Sequence, residues 1–130
     1  MATTMHVEVV SAERHVLSAD AVELYARSVE GEIGILPGHQ PALIELDIAP
    51  VRVKLEDGTW ETIAVHHGLL YVGRDGLIVL ADVAEPASSI DAARAETALR
   101  ELEGRQAAGD DPVLRASIQR ARTRLTVADG

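Results

Sequence analysis

Residues 50–65 read PVRVKLEDGTWETIAV, and this stretch decides the fold. Val51, Val53 and Leu55 alternate with Arg52 and Lys54, the period-two pattern of a strand with one buried face. Glu56-Asp57-Gly58-Thr59 then separates that run from Trp60-Glu61-Thr62-Ile63-Ala64-Val65. An Asp-Gly between apolar runs signals a hairpin, because tight hairpin turns require positive φ. Working outward, Arg74-Asp75-Gly76 links Leu69-Leu70-Tyr71-Val72 to Leu77-Ile78-Val79-Leu80 in the same way, and His6-Val7-Glu8-Val9 alternates near the start. From Met5 to Asp82 nothing sustains a helical period. Short strands at this spacing predict an all-β antiparallel sandwich or flattened barrel.

Upstream, residues 30–43 read EGEIGILPGHQPAL, with Gly31, Gly34 and Gly38 around an apolar run and prolines at 37 and 41. Glycines let backbone amides approach a phosphate, but a nucleotide-binding loop of that kind also needs a Lys followed by Ser or Thr, absent here. A bend between short strands is the expectation, with Gly31, Gly34, Pro37 and Gly38 shaping a corner.

The texture changes after Ala84-Glu85-Pro86. Ser88, Ser89 and Asp91 offer capping oxygens to an Ala- and Glu-rich segment that runs to about Ala108. Gly109-Asp110 interrupts it, and Asp111 and Pro112 supply the cap and first position of a second helix. Ala95, Leu99 and Leu102 form a thin seam on the first helix, and Leu114, Ile118, Ala121 and Leu125 form one on the second. The division is therefore a β-sandwich domain at 1–86 and an antiparallel helical hairpin at 87–130. Burial between seams so rich in alanine stabilises little, so the hairpin needs tertiary contact or a ligand to hold it.

The formal net charge is −9, and it is uneven. Residues 1–86 hold 14 Asp or Glu against 5 Lys or Arg, whereas residues 87–130 hold 7 of each. An acidic sandwich repels nucleic acid and anionic lipid. There is no cysteine, hence no disulfide, thiolate metal site or cysteine nucleophile, which fits a reducing compartment. No run reaches the ~20 apolar residues of a membrane helix and the start lacks a secretory pattern, so a soluble chain without direct membrane insertion is expected. With no Phe, and Tyr25, Trp60 and Tyr71 as the aromatic residues, the core must be mostly Val, Ile, Leu and Ala.

No catalytic constellation stands out. Ser11, Ser18 and Ser28 lack a nucleophile-elbow context. His39, His66 and His67 are the best metal set available, which leaves a free-standing sandwich that binds a metal or small molecule as the alternative function. Against it, His66 and His67 are adjacent and would face opposite sides of a strand; solvated or core-edge histidines are the plainer account. Ile90-Asp91-Ala92-Ala93-Arg94-Ala95 reads on its own as a capped helix start. The second helix carries Arg115, Arg120, Arg122 and Arg124 with no acid from Pro112 to Leu125, and Arg120 and Arg124 share a face at i and i+4. If the hairpin folds back, that helix start and these planar guanidiniums could meet an anion.

Several ordered motifs then converge. Val7-Glu8-Val9-Val10-Ser11-Ala12-Glu13, Gly31-Glu32-Ile33-Gly34-Ile35-Leu36-Pro37-Gly38-His39, Gly68-Leu69-Leu70-Tyr71-Val72, Val79-Leu80-Ala81-Asp82, Ile90-Asp91-x-x-Arg94-Ala95 and Arg124-Leu125-Thr126-Val127-Ala128 all match one family. Over essentially its whole length the chain resembles the epsilon subunit of bacterial F-type ATP synthase. The resemblance implies a noncatalytic central-stalk subunit with no obligatory cofactor, peripheral on the cytoplasmic face of the bacterial cell membrane. The sandwich would seat against the gamma subunit and the c-subunit ring, with Glu32 and His39 as ring contacts. The hairpin would extend into the alpha/beta catalytic head to oppose ATP hydrolysis, with Arg115 and Arg122 among its contacts. Some members bind ATP in the folded-down hairpin. Glu85, Ile90, Asp91, Arg94 and Ala95, with Arg120 and Arg124, match those positions, so ATP is implied as a regulatory ligand. One departure is Glu101, beside Arg100, where strong binders carry a basic residue.

Overall fold

The computed structural model describes residues 3–129. In chain order the elements are β1 (Met5–Ser11), β2 (His15–Ser28), β3 (Gly31–Ile35), β4 (Ala42–Leu55), β5 (Trp60–Val72) and β6 (Gly76–Pro86), a 3-10 turn at Ala87–Ser89, α1 (Ala92–Ala108) and α2 (Pro112–Asp129). The strands order as β1-β6-β5-β4-β2-β3, and β1 also pairs with β2, so five strands close into a flattened barrel with β3 added beside β2. Every pairing is antiparallel except β1 with β6. The inward positions are aliphatic: Val7, Val9, Leu24, Ile35, Leu46, Val51, Val53, Ile63, Val65, Leu70, Val72 and Val79 are all buried.

The strands are longer than the sequence texture predicts. β2 and β4 span 14 residues each and β5 spans 13, because each continues around the barrel through irregularities rather than stopping. The β2–β4 register shifts between Ala21 and Glu23 and again between Tyr25 and Ser28. In β5 the bend falls at His67, a non-glycine residue at φ 60, followed by Gly68 at φ 147. Such shifts let one strand serve both layers of a flattened barrel.

The two Asp-Gly signals work by different means. Gly58 adopts φ 91 in the β4–β5 turn, as a tight hairpin requires. Gly76 has no positive φ; it begins β6, where a Cβ would lie 2.6 Å from the His6 carbonyl oxygen on β1. That glycine is needed for close strand approach rather than for the turn. In residues 30–43 the corner also divides. Gly31 and Gly38 take positive φ at the two ends, while Gly34 sits within β3 with the Tyr25 ring over it.

Asp91 caps α1 by accepting from the Arg94 amide at 3.1 Å, and Asp111 caps α2 by accepting from the Leu114 amide at 2.8 Å. The helices pack on each other, but only α2 lies against the sheet, over β4 and β5. The outer face is therefore covered along Ile48–Val51 and Ile63–His66, where consecutive residues are buried or nearly so instead of alternating. Ile118 and Ala121 of the expected seam are buried and Leu114 and Leu125 half-buried. Thr123 and Val127 are buried as well, since α2 is covered on two sides. Among the described residues no helix is long and apolar enough to cross a membrane.

Candidate functional site

The seam between α2 and the sheet is held by polar groups. Glu85, near the end of β6, accepts at one oxygen from two donors: Nε of Arg124 on α2 at 2.8 Å and Nε2 of His66 on β5 at 2.7 Å. Gln119 of α2 donates to the Ile48 carbonyl at 3.3 Å. Burial alone would raise the Glu85 pKa, but the hydrogen bonds from Arg124 and His66 outweigh it and leave the group below its ordinary value. His66 is lowered too, which for a histidine favours the neutral ring: burial, aided by the charges of Arg124 and Arg120, depresses it despite the Glu85 hydrogen bond. With Nε2–H donating to Glu85, the Nδ1 atom of His66 is buried without a partner.

On one flank of this seam lies a cavity of about 300 Å³ lined by Glu85, Ser89, Ile90, Asp91, Arg94, Ala95, Ala98 and Arg124. It joins the end of β6, the 3-10 turn, the first turn of α1 and the middle of α2. Six of the seven residues matched to the nucleotide positions thus share one cavity. The seventh, Arg120, does not line it; its guanidinium donates to the Ser117 hydroxyl. Chemically, the cavity offers two guanidiniums and the positive end of a capped helix, against the Glu85 and Asp91 carboxylates already engaged by Arg124, His66 and the Arg94 amide. Glu101 lies outside it, along a shallow groove on α1 shared with Asp91, Arg94 and Thr97.

The remaining candidates are dispersed. Glu32 is exposed on β3, 3.9 Å from Arg27, whereas His39 lies in the loop beyond the other end of that strand, its Nδ1 donating to the Gln40 carbonyl at 2.8 Å. They line different cavities. Arg115 binds Asp110 at 2.6 Å and Arg122 binds Glu103 of α1 at 3.2 Å, both at the surface. His66 is buried and His67 exposed; the bend at His67 breaks the alternation expected to set them on opposite faces of β5, and among the described residues no three His, Asp or Glu side chains converge as metal ligands would.

Sequence reasoning missed an apolar outer face. Leu43 pairs with Tyr71 and Tyr71 with Ile78, while Leu69 pairs with Leu80, so five large side chains form adjacent rows across β4, β5 and β6. All are exposed, from 39% at Ile78 to 67% at Leu43. A contiguous patch of this kind marks a docking surface. The signal was present as Leu43, Leu69, Tyr71, Ile78 and Leu80 at alternate positions opposite buried residues, but a strand apolar on both faces reads simply as core.

Residues 4–87 match the family described as ATP synthase, Delta/Epsilon chain, beta-sandwich domain. Among similar proteins, the ATP synthase epsilon chain of Streptomyces avermitilis is 43% identical over 122 residues, covering 94% of this chain and 96% of the relative. That of Streptomyces coelicolor is 41% identical over 130 residues, covering 100% and 99%. A chain in the cryo-EM structure of Euglena gracilis mitochondrial ATP synthase, OSCP/F1/c-ring, superposes with a TM-score of 0.74 at 20% identity over 97% of this chain and 78% of that one. The last likeness is one of fold.

Proposed function

The chain belongs to the ATP synthase epsilon-chain family, and from that premise we propose that it is a noncatalytic rotor subunit whose helical hairpin is a nucleotide-sensitive brake on ATP hydrolysis. In this reading the sandwich joins the gamma subunit and the c-subunit ring at the cytoplasmic face of the membrane and transmits proton-driven rotation toward ATP synthesis. The apolar face of Leu43, Leu69, Tyr71, Ile78 and Leu80 suits a permanent protein partner. The acidic balance of the sandwich disfavours nucleic acid.

One observation carries the regulatory part: Glu85, Ile90, Asp91, Arg94, Ala95 and Arg124 share a cavity with walls from the sheet and from both helices. That cavity exists only while the hairpin is docked. A ligand bound there therefore favours the docked state, by no more than its differential affinity for the two states. ATP fits the donor set, its phosphates meeting Arg94, Arg124 and the start of α1. When ATP falls, the hairpin leaves the sheet. Arg115, Arg120, Arg122 and Arg124 then face acidic surfaces of the alpha/beta head, a contact that salt weakens.

Calorimetric titration of the full chain with ATP tests the reading, with Asp91→Ala and Arg94→Ala as controls. Saturable heat that both variants abolish supports it; no heat at millimolar ATP refutes the nucleotide part. Ending the chain after Pro86 separates the brake from the sensor. Assembled complexes should keep their rotor and hydrolyse ATP faster, and unchanged hydrolysis would refute the brake.

A further inference from the structure

A second cavity, of about 530 Å³, lies on another flank of α2, and none of the residues matched to the nucleotide positions lines it. Its helix wall is a single stripe of polar side chains, Gln119, Arg122, Thr123 and Thr126, at i, i+3, i+4 and i+7. Its sheet wall is the outer face of β3, β2 and β4, where Tyr25 pairs with Gly34 on one side and with Arg52 on the other.

That wall is rigid. A Cβ at Gly34 would stand 2.8 Å from the Tyr25 ring, so glycine is what lets the ring lie over β3, and the Tyr25 hydroxyl is tied to Glu23. The Arg52 guanidinium lies 4.5 Å from the centre of the Trp60 ring, which itself lies 6.1 Å from Tyr25. An arginine fixed by stacking keeps its N–H edge free for an acceptor.

The charge is equally selective. Two of the five cations of the acidic sandwich, Arg27 and Arg52, converge on this cavity, and α2 adds Arg122. The one carboxylate in the lining, Glu32, reaches Arg27 only loosely, at 3.9 Å. Arg122 gives one edge to Glu103, and among the described residues Arg52 has no carboxylate within 4.0 Å. Finally, Thr123 is 2% exposed, and its hydroxyl is one of two buried side-chain polar atoms without a partner among the described residues. Buried hydroxyls ordinarily find partners.

We propose that this groove binds a phosphate-bearing small anion, with Arg52 and Arg27 holding it from the sheet and Arg122 and the Thr123 hydroxyl from α2. A phosphate group, with several acceptor oxygens on a tetrahedral centre, suits donors arriving from two walls better than a planar carboxylate does. Because the walls belong to different elements, the bound anion clamps α2 to the sandwich, independently of any ligand beside Asp91.

The test is a titration of the isotopically labelled full chain with inorganic pyrophosphate at low salt, followed by amide chemical shifts. Saturable shifts at Gly34, Arg52 and Thr123 are expected. Arg52→Gln should weaken binding about tenfold, as loss of one charge-assisted contact does, and Thr123→Val should weaken it several-fold. Arg105→Gln, on the exposed last turn of α1, should leave it unchanged. If Arg52→Gln disturbs the packing of Trp60, the near-isosteric Thr123→Val still decides. Shifts confined to residues 85–95, shifts that do not saturate, or wild-type affinity in both variants would overturn the proposal. An arm with ADP identifies the source: tighter binding with movement of the Tyr25 ring signals means a nucleotide, and equal affinity means that the phosphates alone are read.

Discussion

The Glu85 carboxylate joins the buried His66 ring, 2.7 Å away on the neighbouring strand, to Arg124 at 2.8 Å on the helix above. One oxygen thus ties the sandwich to the hairpin. Replacing Glu85 by Ala leaves Arg124 and His66 facing each other with no acceptor between them. Breaking a half-buried polar cluster from one side costs about 1–3 kcal/mol. Nearly all of that falls on docking, because the core strands do not use the carboxylate. Hydrogen exchange should show the α2 amides opening roughly tenfold or more faster, consistent with that energy, while β4 and β5 keep wild-type protection. Equal acceleration in both would mean that Glu85 stabilises the sandwich itself.

Docking should weaken as the solution is acidified. The His66 pKa is depressed in the docked state, first by burial and then by Arg124 and Arg120 on α2, against the pull of Glu85 on β6. Protonation would also place a new N–H at Nδ1, where no acceptor exists. Once the hairpin leaves, the ring regains water and its ordinary value near 6.5. The docked state therefore binds fewer protons. Its stability is whole above that ordinary value and is lost as pH falls from it through the depressed one. Glu85, also depressed, withdraws its contribution only below its own ordinary 4.5, so between the two values the effect belongs to His66. With no native cysteine, an acceptor dye at Val113→Cys and Trp60 as donor report docking. Energy transfer should fall below about pH 6.5, and the fall should vanish in His66→Gln.

The exposed face of β1 and β2 offers a separate titration. Glu8 receives hydrogen bonds from His15 at 3.0 Å, from His6 at 3.1 Å and from Ser18, and these hold its pKa down to about 2. As a depressed carboxylate it favours the folded chain above its ordinary 4.5, and that preference disappears as pH falls toward 2. Carbon-detected titration should find Glu8 still ionised well below its ordinary 4.5. His15→Ala should move its midpoint upward more than Ser18→Ala does.

Gly68→Ala should be among the most damaging single changes in the sandwich. Gly68 sits at φ 147 just after the His67 bend, and a Cβ there would lie 2.3 Å from the Leu80 carbonyl oxygen and 2.8 Å from the Ala81 Cα, both backbone atoms that cannot swing aside. Strain of this kind costs upwards of about 2 kcal/mol. Thermal unfolding should show a drop of several degrees, whereas Gly104→Ala, in open space on α1, should stabilise slightly.

How legible the fold was depended on where strands run straight. Residues 51–55 alternate cleanly because that hairpin keeps its register from Pro50 to Lys54 against Trp60 to Ala64. β2, HVLSADAVELYARS, lost its period because the register shift at Ala21/Glu23 exchanges the buried face within one strand, from Ala21 to Leu24 and Ala26. The helix caps at Asp91 and Asp111 were readable because capping is local. The Glu85–Arg124 tie spans 39 residues, and no local pattern encodes it; motif resemblance, rather than periodicity, brought those two residues together. Thr123 shows the limit of the seam argument, since a polar side chain is buried where α2 meets the sheet and periodicity assigned that face to solvent.

The apolar outer face yields the prediction that most directly separates folding from assembly. Tyr71 and Leu80 are half exposed, and their neighbours across the strands are Leu43, Ile78 and Leu69. A single aspartate there meets water in the isolated chain and should change its unfolding temperature little, as surface substitutions usually do within ~0.5 kcal/mol. In a complex the same carboxylate would be desolvated against an apolar partner without a counter-charge, at a cost of about 2–4 kcal/mol. Tyr71→Asp and Leu80→Asp should therefore keep the β-rich circular dichroism of the wild type. Their retention with the washed rotor should fall at least tenfold, whereas Asp82→Asn, exposed beside the patch, should be retained normally. Wild-type retention of both aspartate variants would place the partner on another face of the barrel, and loss of folded signal in both would show that the patch serves stability instead.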